Sequence, residues 1–552
     1  MSGVTATAER TASLGASDDG HPYPRLRERF VLQPPDRLLG WLGPLGVALL
    51  ALAIRVWHLG TPHVVLFDET YYAKDAYSLL QFGYVREFTD SANRRILNGR
   101  LTGIFEPEVT QIVHPDGGKW LIAAGEKAFG LDPFGWRIAA AVVGALTVLV
   151  LARLVRRLTG STLLGCLAGL MLAVDGLHFV MSRLALLDGF MAFWLVCATA
   201  CLVADRDWGR ARLARVYPTS GDIRGFGPVR ALLWRPWRLG AGVCFGLACG
   251  TKWSAVYVLA VFGLLVWVWD AGARRAIGVR AAWAKSLVVD AIPAFVMIVG
   301  VALVAYLLTW TGWLVHHEVY EARFGHGYGD NAPWGAYLDS PARGFVGEAL
   351  QGLRSLWHYH VMVYDFHVGD YLADQSHPYE SNPLGWLVMN RPVGIDAQLD
   401  LPPGEGGCEA ARDSTCLRQV LALGNPVLWW GGAIALIACL GYWLLRRDWR
   451  FAIPVLGVAA TWLPWFRYDD RPIFFFYAVS LVPFTVIGLA LVFGKLLGTA
   501  GDGGTRRLIG TAVIVVFVAA ELACFVYYYP IWADSLIPRE AWQERILLPS
   551  WV

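Results

Sequence analysis

The chain carries little charge for its length. Only 16% of its 552 residues are Asp, Glu, Lys or Arg, whereas soluble proteins average about 25%. Hydrophobic residues make up 56% and aromatic residues 13%, and such an aromatic excess is typical of membrane–water interfaces. The composition excludes a soluble globular enzyme and predicts an all-α polytopic membrane protein.

Several functional motifs are also missing. The sequence has no Gly-rich phosphate loop, dinucleotide fingerprint or Ser-His-Asp pattern, so a sugar donor need not be a nucleotide sugar. No Cys pair has metal-site spacing, and the histidine-rich segment 313–420 lacks the pattern of a zinc site. We predict no cofactor, no metal site built by protein alone and no nucleic-acid partner; a requirement for Mg²⁺ or Mn²⁺ is left open.

Residues 1–38 lack an apolar core and a cleavable signal sequence. Ser, Thr, Ala, Gly and Arg dominate this segment, a composition typical of disorder. We predict a disordered cytoplasmic tail, followed by a single transmembrane domain over residues 39–552.

Apolar runs of about 20 residues are long enough to cross a bilayer. The sequence contains eleven candidates, the fifth of which is short: 39–59, 134–153, 161–180, 184–204, 238–251, 253–270, 286–312, 421–445, 451–466, 472–494 and 508–529.

Loop charges predict the orientation of these spans. The Arg-rich segment 205–238 and the other basic connections all fall on one side, which the positive-inside rule assigns to the cytoplasm. The other side receives the first outer loop (60–133), the long outer loop (313–420) and the C-terminal tail (530–552). We predict a cell-membrane protein with a cytoplasmic N-terminus and an extracytoplasmic C-terminus.

All polar clusters that could perform chemistry fall on the predicted outer side. Transporters usually place charges at the membrane midplane between internal repeats, and neither feature is present. Charges at one membrane surface favour an enzyme that takes one substrate from lipid and another from outside water.

The adjacent carboxylates of Asp68 and Glu69 follow the first span. Partial desolvation at a membrane boundary makes a carboxylate a better base. Alternatively, Asp68 or Thr70 caps the helix that the following residues predict. The two interpretations are compatible, because a cap also immobilises a catalytic carboxylate.

Cationic residues near the outer surface are candidate ligands of a lipid phosphate. Each has the alternative of an ordinary interfacial side chain that reaches toward water. These candidates are Lys119, Arg137, Lys252, Arg467 and Arg471. For Arg137 the anion is either such a phosphate or the Asp68–Glu69 pair.

Other polar or aromatic residues near these cations have two interpretations: they line a substrate groove, or their role is structural. They are His114, Asp188, Trp253, Glu380, Asn382 and Arg391. For Asp188 we favour a structural pair with Arg183 across a tight turn. Cys408 and Cys416 are close in a polar loop, and are either a disulfide or two free thiols.

The ordered motifs resemble the protein O-mannosyltransferase family over about residues 39–540. The motifs that carry the resemblance are Phe67-Asp68-Glu69-Thr70-Tyr71-Tyr72, His114-Pro115 with Lys119, Leu186-Leu187-Asp188, Lys252-Trp253, Leu423-Gly424-Asn425-Pro426-Val427-Leu428-Trp429-Trp430, and Arg471-Pro472 to Tyr477.

The resemblance implies the GT-C membrane glycosyltransferase fold and inverting transfer of mannose from polyprenyl-phosphate mannose to Ser or Thr of secreted or membrane proteins. Asp68 would match the catalytic base, Glu69 would position acceptor or donor, and Arg137 would lie near the leaving phosphate or the acidic pair. The implied partners are the donor, membrane lipid and Ser/Thr-rich acceptors, with the secretion machinery as the expected place of encounter.

The long outer loop departs from the eukaryotic pattern. At about a hundred residues, 313–420 has no room for the β-trefoil insert of eukaryotic members, so the chain resembles a bacterial, actinobacterial-type member. The alternatives are a GT-C transferase of another lipid-linked sugar, such as arabinose, to a lipid or glycan acceptor; a transporter or flippase; and a folded but inactive protein.

Overall fold

The structure is a computed structural model that describes residues 34, 36–216, 223–327, 333–334, 344–498 and 504–552. Residues 1–33 and 35, which form most of the predicted disordered tail, lie outside the described residues. The described chain is helical apart from two small sheets.

The helices follow one another with short connections, except in the two outer loops. In chain order they are α1 (Leu39–Val56), α2 (Glu69–Phe82), α3 (Ala92–Leu97), α4 (Gly117–Phe129), α5 (Pro133–Thr159), α6 (Thr162–Ala173), α7 (Gly176–Met181), α8 (Leu187–Val216), α9 (Arg230–Leu233), α10 (Pro236–Cys249), α11 (Ala255–Ala276), α12 (Ala282–Thr309), α13 (Thr311–Val315), α14 (His317–Phe324), α15 (Gly344–Val368), α16 (Asp370–Ala373), α17 (Pro426–Arg446), α18 (Ala452–Trp462), α19 (Val482–Leu497), α20 (Gly504–Trp532) and α21 (Arg539–Gln543).

Each of the eleven predicted spans overlaps at least one of these helices. Seven of the described helices are long and apolar enough to cross a membrane: α1, α5, α8, α11, α12, α17 and α20. Helices α6 and α19 are apolar but shorter. The chain is therefore a multi-pass membrane protein, and the number eleven remains a prediction.

Helix boundaries follow local capping chemistry. Asp132 precedes Pro133 at the start of α5, and its Oδ1 accepts a hydrogen bond from the Gly135 amide at 2.7 Å. Asn425 precedes Pro426 at the start of α17 in the same way. A cap followed by Pro satisfies a free amide and pre-sets the first helical φ.

Helices α10 and α12 approach closely through glycines. Gly242 and Gly246 on α10 and Gly250, which caps its end, recur every four residues, and a Cβ on any of them would meet α12. A Cβ on Gly242 would stand 2.6 Å from the Met297 carbonyl oxygen. Small residues permit this approach, which membrane helices need because lipid supplies no hydrophobic drive for their association.

Two small antiparallel sheets lie in the outer segments, and the all-α prediction did not include them. Strand β1 (Arg86–Phe88) pairs with β2 (Phe105–Val109). The second sheet has the order β3 (Val393–Leu401), β4 (Cys416–Ala422) and β5 (Ile537–Pro538). These strands are short and partly polar, so their apolar patterns are weak in the sequence.

The largest buried cluster lies among the long helices, and two smaller clusters lie in the outer segments. One smaller cluster surrounds Tyr72 and Trp136, and the other contains Trp310, Trp313 and Tyr359.

Candidate active site

Asp68 stands at the start of α2 with a free carboxylate. Its backbone holds the N-cap position, but its side chain makes no capping hydrogen bond. The preceding Phe67 has φ of +47°, and such strain in a non-glycine residue concentrates at functional sites. The ring of Phe67 packs edge-on against Phe474 and Phe476 at 5.5 Å. The aromatic packing fixes the loop, and the Asp68 carboxylate is not used for capping.

Glu69 is fully buried, and both of its carboxylate oxygens accept hydrogen bonds. Its Oε1 accepts hydrogen bonds from Arg137 Nε at 2.8 Å and the Ala185 amide at 3.1 Å. Its Oε2 accepts from Arg137 Nη2 at 2.9 Å and the Leu66 amide at 3.0 Å. Because both oxygens are occupied, Glu69 holds the loop before Asp68, and its expected role in positioning acceptor or donor stays a prediction.

Arg137 binds Glu69 of the acidic pair. Besides Glu69, its guanidinium donates to the Pro62 carbonyl at 3.0 Å and the Val64 carbonyl at 2.9 Å. Of the two anions considered for Arg137, the structure supplies the carboxylate. Arg137 and Glu69 tie the loop before Asp68 to α5.

The pKa of the Asp68 carboxyl lies close to neutral pH. Burial raises its pKa to about 6. The positive charge of Lys252 opposes this shift, whereas the negative charge of Asp188 adds to it; a weak 3.5 Å hydrogen bond from Tyr72 Oη lowers the pKa. A carboxylate with a pKa near the working pH suits a general base.

Lys252 forms a buried ion pair with Asp188. Its Nζ lies 2.9 Å from Oδ1 and 2.8 Å from Oδ2 of Asp188, and 4.6 Å from the centre of the Tyr477 ring. The preferred Arg183–Asp188 pair is wrong. Arg183 instead donates to the backbone carbonyls of Arg55 and Trp57 at 2.7 and 2.6 Å, because its turn packs against the end of α1.

A polar cavity of about 290 Å³ lies beside these groups. Its lining combines cations, neutral polar groups and aromatic rings: His114, Lys252, Trp253, Ser254, Val256, Tyr257, Tyr364, His367, Val368, Pro464, Trp465, Tyr468, Arg471 and Tyr477. This volume is close to the lower limit of about 300 Å³ for small-molecule sites. Tyr72 connects Asp68 to the cavity. Its hydroxyl contacts the Asp68 carboxylate, and its ring centre lies 6.3 Å from that of His114, which lines the cavity.

Two histidines in the cavity are neutral at pH 7. Burial lowers the pKa of His367 to about 4 and holds the pKa of His114 well below its usual value. The nearby positive charges of Lys252 and Arg471 lower both further. Their rings stack at 5.3 Å. The cations of the cavity wall are therefore Lys252 and Arg471, not the imidazoles.

Arg471 has no hydrogen-bond or ion-pair partner among the residues that the structure describes, and its Nε is buried. The side chain as a whole is half-buried. It lies in the wall of the cavity, so an anion bound there would complete it. Arg467, by contrast, is exposed and does not line the cavity.

Lys119 is buried away from this cavity. Its Nζ lies 3.0 Å from Asp75 and 3.1 Å from Asp116, so its charge is already balanced by two carboxylates. The structure does not bring Lys119 to the place where a donor phosphate was expected to meet it. Lys119 instead joins α4 to α2.

An apolar groove of about 490 Å³ adjoins the polar cavity. Helices α10, α11, α12 and α15 form its walls, and Trp253, Val256 and Tyr364 line both spaces. The indole Nε1 of Trp253 donates to Tyr306 Oη at 2.9 Å, and its ring stacks on His360. A ligand with a polar head and a hydrocarbon tail would fit the two spaces together.

The polar residues singled out in 380–391 make local structural contacts. Glu380 accepts a 3.4 Å hydrogen bond from the His377 amide, and Asn382 caps the turn at Leu384. Arg391 donates to the carbonyl of Ser550 at 2.9 Å. None of the three lines either cavity. These contacts hold the outer loop in place.

Cys408 and Cys416 form a disulfide, with their Cα atoms 5.7 Å apart. The bond closes the connection between β3 and β4. Of the two interpretations of this pair, the structure contains the bonded one.

The site also contains residues that the sequence did not single out. His367 lines the cavity, and its buried Nδ1 has no hydrogen-bond partner within the described ranges. Tyr257 and Tyr468 share a 2.8 Å hydrogen bond across the cavity wall. His360 and His367 are seven residues apart on α15, and this helical spacing was the available signal.

No group of three or more His, Cys, Asp and Glu side chains in the described segments is arranged to hold a metal ion.

Two family models match most of the chain. The model for dolichyl-phosphate-mannose-protein mannosyltransferase covers residues 46–310, and the model for the C-terminal four-helix transmembrane region of protein-O-mannosyltransferase covers residues 353–551.

Curated relatives match over nearly the full length. A polyprenol-phosphate-mannose–protein mannosyltransferase from Mycolicibacterium smegmatis is 36% identical over 99% of this chain and 98% of its own length. A protein of the same name from Mycobacterium tuberculosis is 35% identical over 94% of this chain and 93% of its own length.

The solved Pmt1–Pmt2 protein O-mannosyltransferase complex of Saccharomyces cerevisiae, bound to its sugar donor, shares the fold. The match has a TM-score of 0.66 at 14% identity, and covers 96% of this chain and 95% of the yeast chain.

Proposed function

The chain belongs to the protein O-mannosyltransferase family, and from this premise we propose that it transfers mannose from polyprenyl-phosphate mannose to Ser or Thr hydroxyls of secreted or membrane proteins. The fold is that of the GT-C membrane glycosyltransferases. The proposal concerns how the described site performs this reaction.

One observation carries the proposal: the apolar groove leads into a cavity that contains an unpartnered guanidinium. The groove suits an isoprenoid chain, Arg471 suits the donor phosphate, and the aromatic rings of the cavity suit a sugar. Asp68 lies at the Lys252 and Tyr477 end of that cavity, as their mutual electrostatic influence indicates.

The reaction is a single displacement. Asp68 removes the proton from the acceptor hydroxyl as its oxygen attacks C1 of mannose. The bond from C1 to the phosphate oxygen breaks, and polyprenyl phosphate leaves with the electron pair and the negative charge. Attack opposite the leaving group inverts the anomeric carbon.

Arg471 and Lys252 stabilise the leaving phosphate. Arg471 can pair with it directly, because no described residue neutralises the guanidinium. Lys252 also pairs with Asp188, so its contribution is a positive potential at the phosphate and the orientation of that group. Preorganised charge of this kind is a large source of transition-state stabilisation.

Glu69, Arg137, Lys119 and Asp188 are positioning residues in this proposal. Glu69 and Arg137 immobilise the loop before Asp68, Lys119 joins α2 to α4, and Asp188 holds Lys252. We place the site at the extracytoplasmic boundary of the cell membrane, because the basic loops lie at the opposite ends of the helices.

The test uses purified protein in lipid nanodiscs, radiolabelled polyprenyl-phosphate mannose and a Ser/Thr/Pro-rich peptide. Wild type, Asp68→Asn and the exposed control Asp90→Asn are compared. We expect Asp68→Asn to bind donor but lose at least about 100-fold in transfer rate, the scale of general-base catalysis. Asp90→Asn should match wild type.

Near-wild-type turnover by Asp68→Asn would overturn the base assignment. A wild-type protein that binds donor but never labels the peptide would indicate a different acceptor. Absence of donor binding would indicate another lipid-linked sugar.

A further inference from the structure

Helix α15 has three faces of different character. Its first face is buried against the outer helices and includes Ser355, Tyr359 and Met362. Tyr359 Oη accepts a 2.6 Å hydrogen bond from the Ile112 amide, so this face anchors the loop that carries His114. Two further faces of the helix carry exposed residues.

One exposed face is entirely apolar. Its members recur at intervals of three and four residues, which places them on one stripe of the helix: Val346, Leu350, Leu353, Trp357, Val361, Tyr364 and Val368. Trp357 is 70% exposed and Val346 is 68% exposed. An exposed stripe of this length is unusual for a surface that faces water.

The other exposed face is polar. Arg354, His358 and Asp365 follow the same helical spacing beside the apolar stripe. A helix with an apolar exposed face and a polar exposed face is typical of one that lies in the plane of a membrane surface. The polar face marks the side of the helix that remains in water.

The apolar stripe is continuous with a lipid-facing surface of the bundle. Trp357, Val361 and Tyr364 line the apolar groove together with Leu303 of α12. Helix α12 is long enough to span a membrane and is mostly unburied, and its neighbouring Val304 is 60% exposed and Leu308 is 67% exposed. The stripe and the exposed side of α12 therefore border one surface.

We propose that α15 is an in-plane membrane helix, with its apolar stripe against the acyl chains of the bilayer and its polar face in water. In this position it forms the rim through which a lipid reaches the apolar groove. The occupant of the stripe is bilayer lipid.

The test is photolabelling of the wild-type protein in nanodiscs of phosphatidylethanolamine and phosphatidylglycerol. A tenth of the phosphatidylglycerol carries a diazirine midway along one acyl chain, and adducts are located by mass spectrometry. We expect lipid adducts on Leu353, Trp357, Val361 or Tyr364 and none on Arg354, His358 or Asp365. The labelled positions of α12 serve as the internal positive control.

Adducts on both exposed faces, or on neither while α12 is labelled, would overturn the proposal. Labelling requires no turnover, so its outcome is independent of the proposed function.

A kinetic comparison tests the rim, and it rests on the proposed function. Trp357→Glu and His358→Glu place the same charge on adjacent residues of different exposed faces. We expect Trp357→Glu to raise the KM for a long-chain donor about tenfold while the KM for a short-chain, water-soluble donor is unchanged. His358→Glu should change neither. Equal effects of the two variants on both donors would count against the rim.

Discussion

Adjacent carboxylates at residues 68 and 69 have different environments, and for this reason we propose different functions for them. Glu69 receives four hydrogen bonds and is fully buried, whereas the Asp68 carboxylate is left with one weak contact to Tyr72. Two acids next to each other can both be tolerated because Arg137 neutralises one of them. The other is free to exchange a proton.

The rate should follow the ionisation of Asp68. Only the deprotonated carboxylate acts as a base, and its pKa is about 6. We expect kcat/KM to fall about tenfold between pH 7 and pH 5, because the deprotonated fraction falls by that factor. Initial rates measured across this range in nanodiscs check the prediction.

The Lys252→Met variant tests the direction in which the pKa of Asp68 moves. The Lys252 charge lowers the pKa of Asp68, so its removal should shift the acidic limb to higher pH, whereas Asp90→Asn should leave the limb in place. A limb that stays fixed in Lys252→Met, or a flat profile in wild type, would contradict the assignment.

At the scale of elements, close contacts between helices position the side chains of the site. Helix α10 leads directly to Lys252 and Trp253, so its position against α12 sets where these side chains meet the cavity. The glycines of α10 make that position possible, since backbone atoms of α12 occupy the space of their missing Cβ atoms.

Gly242→Ala should destabilise the protein, and Gly263→Ala should not. The new Cβ at 242 would lie 2.6 Å from the Met297 carbonyl oxygen and 2.9 Å from Val301 Cβ, whereas nothing lies within 4 Å at 263. Overpacking costs about 1–3 kcal/mol, while Ala in an open helical position gains up to about 1 kcal/mol.

Thermal unfolding in one detergent measures this pair of variants. We expect a lower Tm for Gly242→Ala and an unchanged or higher Tm for Gly263→Ala. Equal Tm values would show that α10 and α12 separate at little cost.

At the scale of the whole molecule, charge is divided between the two ends of the bundle. Arg235 and Arg238 pair with Asp205 and Asp270 in one buried network at the end away from Asp68. The predicted orientation places this end in the cytoplasm and the active site outside.

Introduced cysteines test the orientation. Arg212 and Asp370 are both exposed, and the Arg212→Cys and Asp370→Cys variants are treated with a membrane-impermeant maleimide in intact cells. We expect labelling at 370 in intact cells and at 212 only after permeabilisation, with wild type as background. Labelling at 212 in intact cells would reverse the orientation.

Membrane class, family and the position of most helices follow from the sequence alone, because apolar runs and ordered motifs are local properties of the chain. Asp68, Lys252 and Arg471 could also be chosen there as candidate site residues, since charges next to membrane spans are costly and so are conspicuous. The separation of the fifth and sixth predicted spans matches the break between α10 and α11.

Pairings between distant residues were decided by the tertiary structure. The sequence could not show that Asp188 pairs with Lys252 and not with Arg183. Nor could it show that Glu69 forms an ion pair with Arg137, or that carboxylates away from the cavity neutralise Lys119. It also missed His367 and the small sheets. These features depend on which helices pack together, and the free energy of a buried charge depends on the partner that this packing supplies.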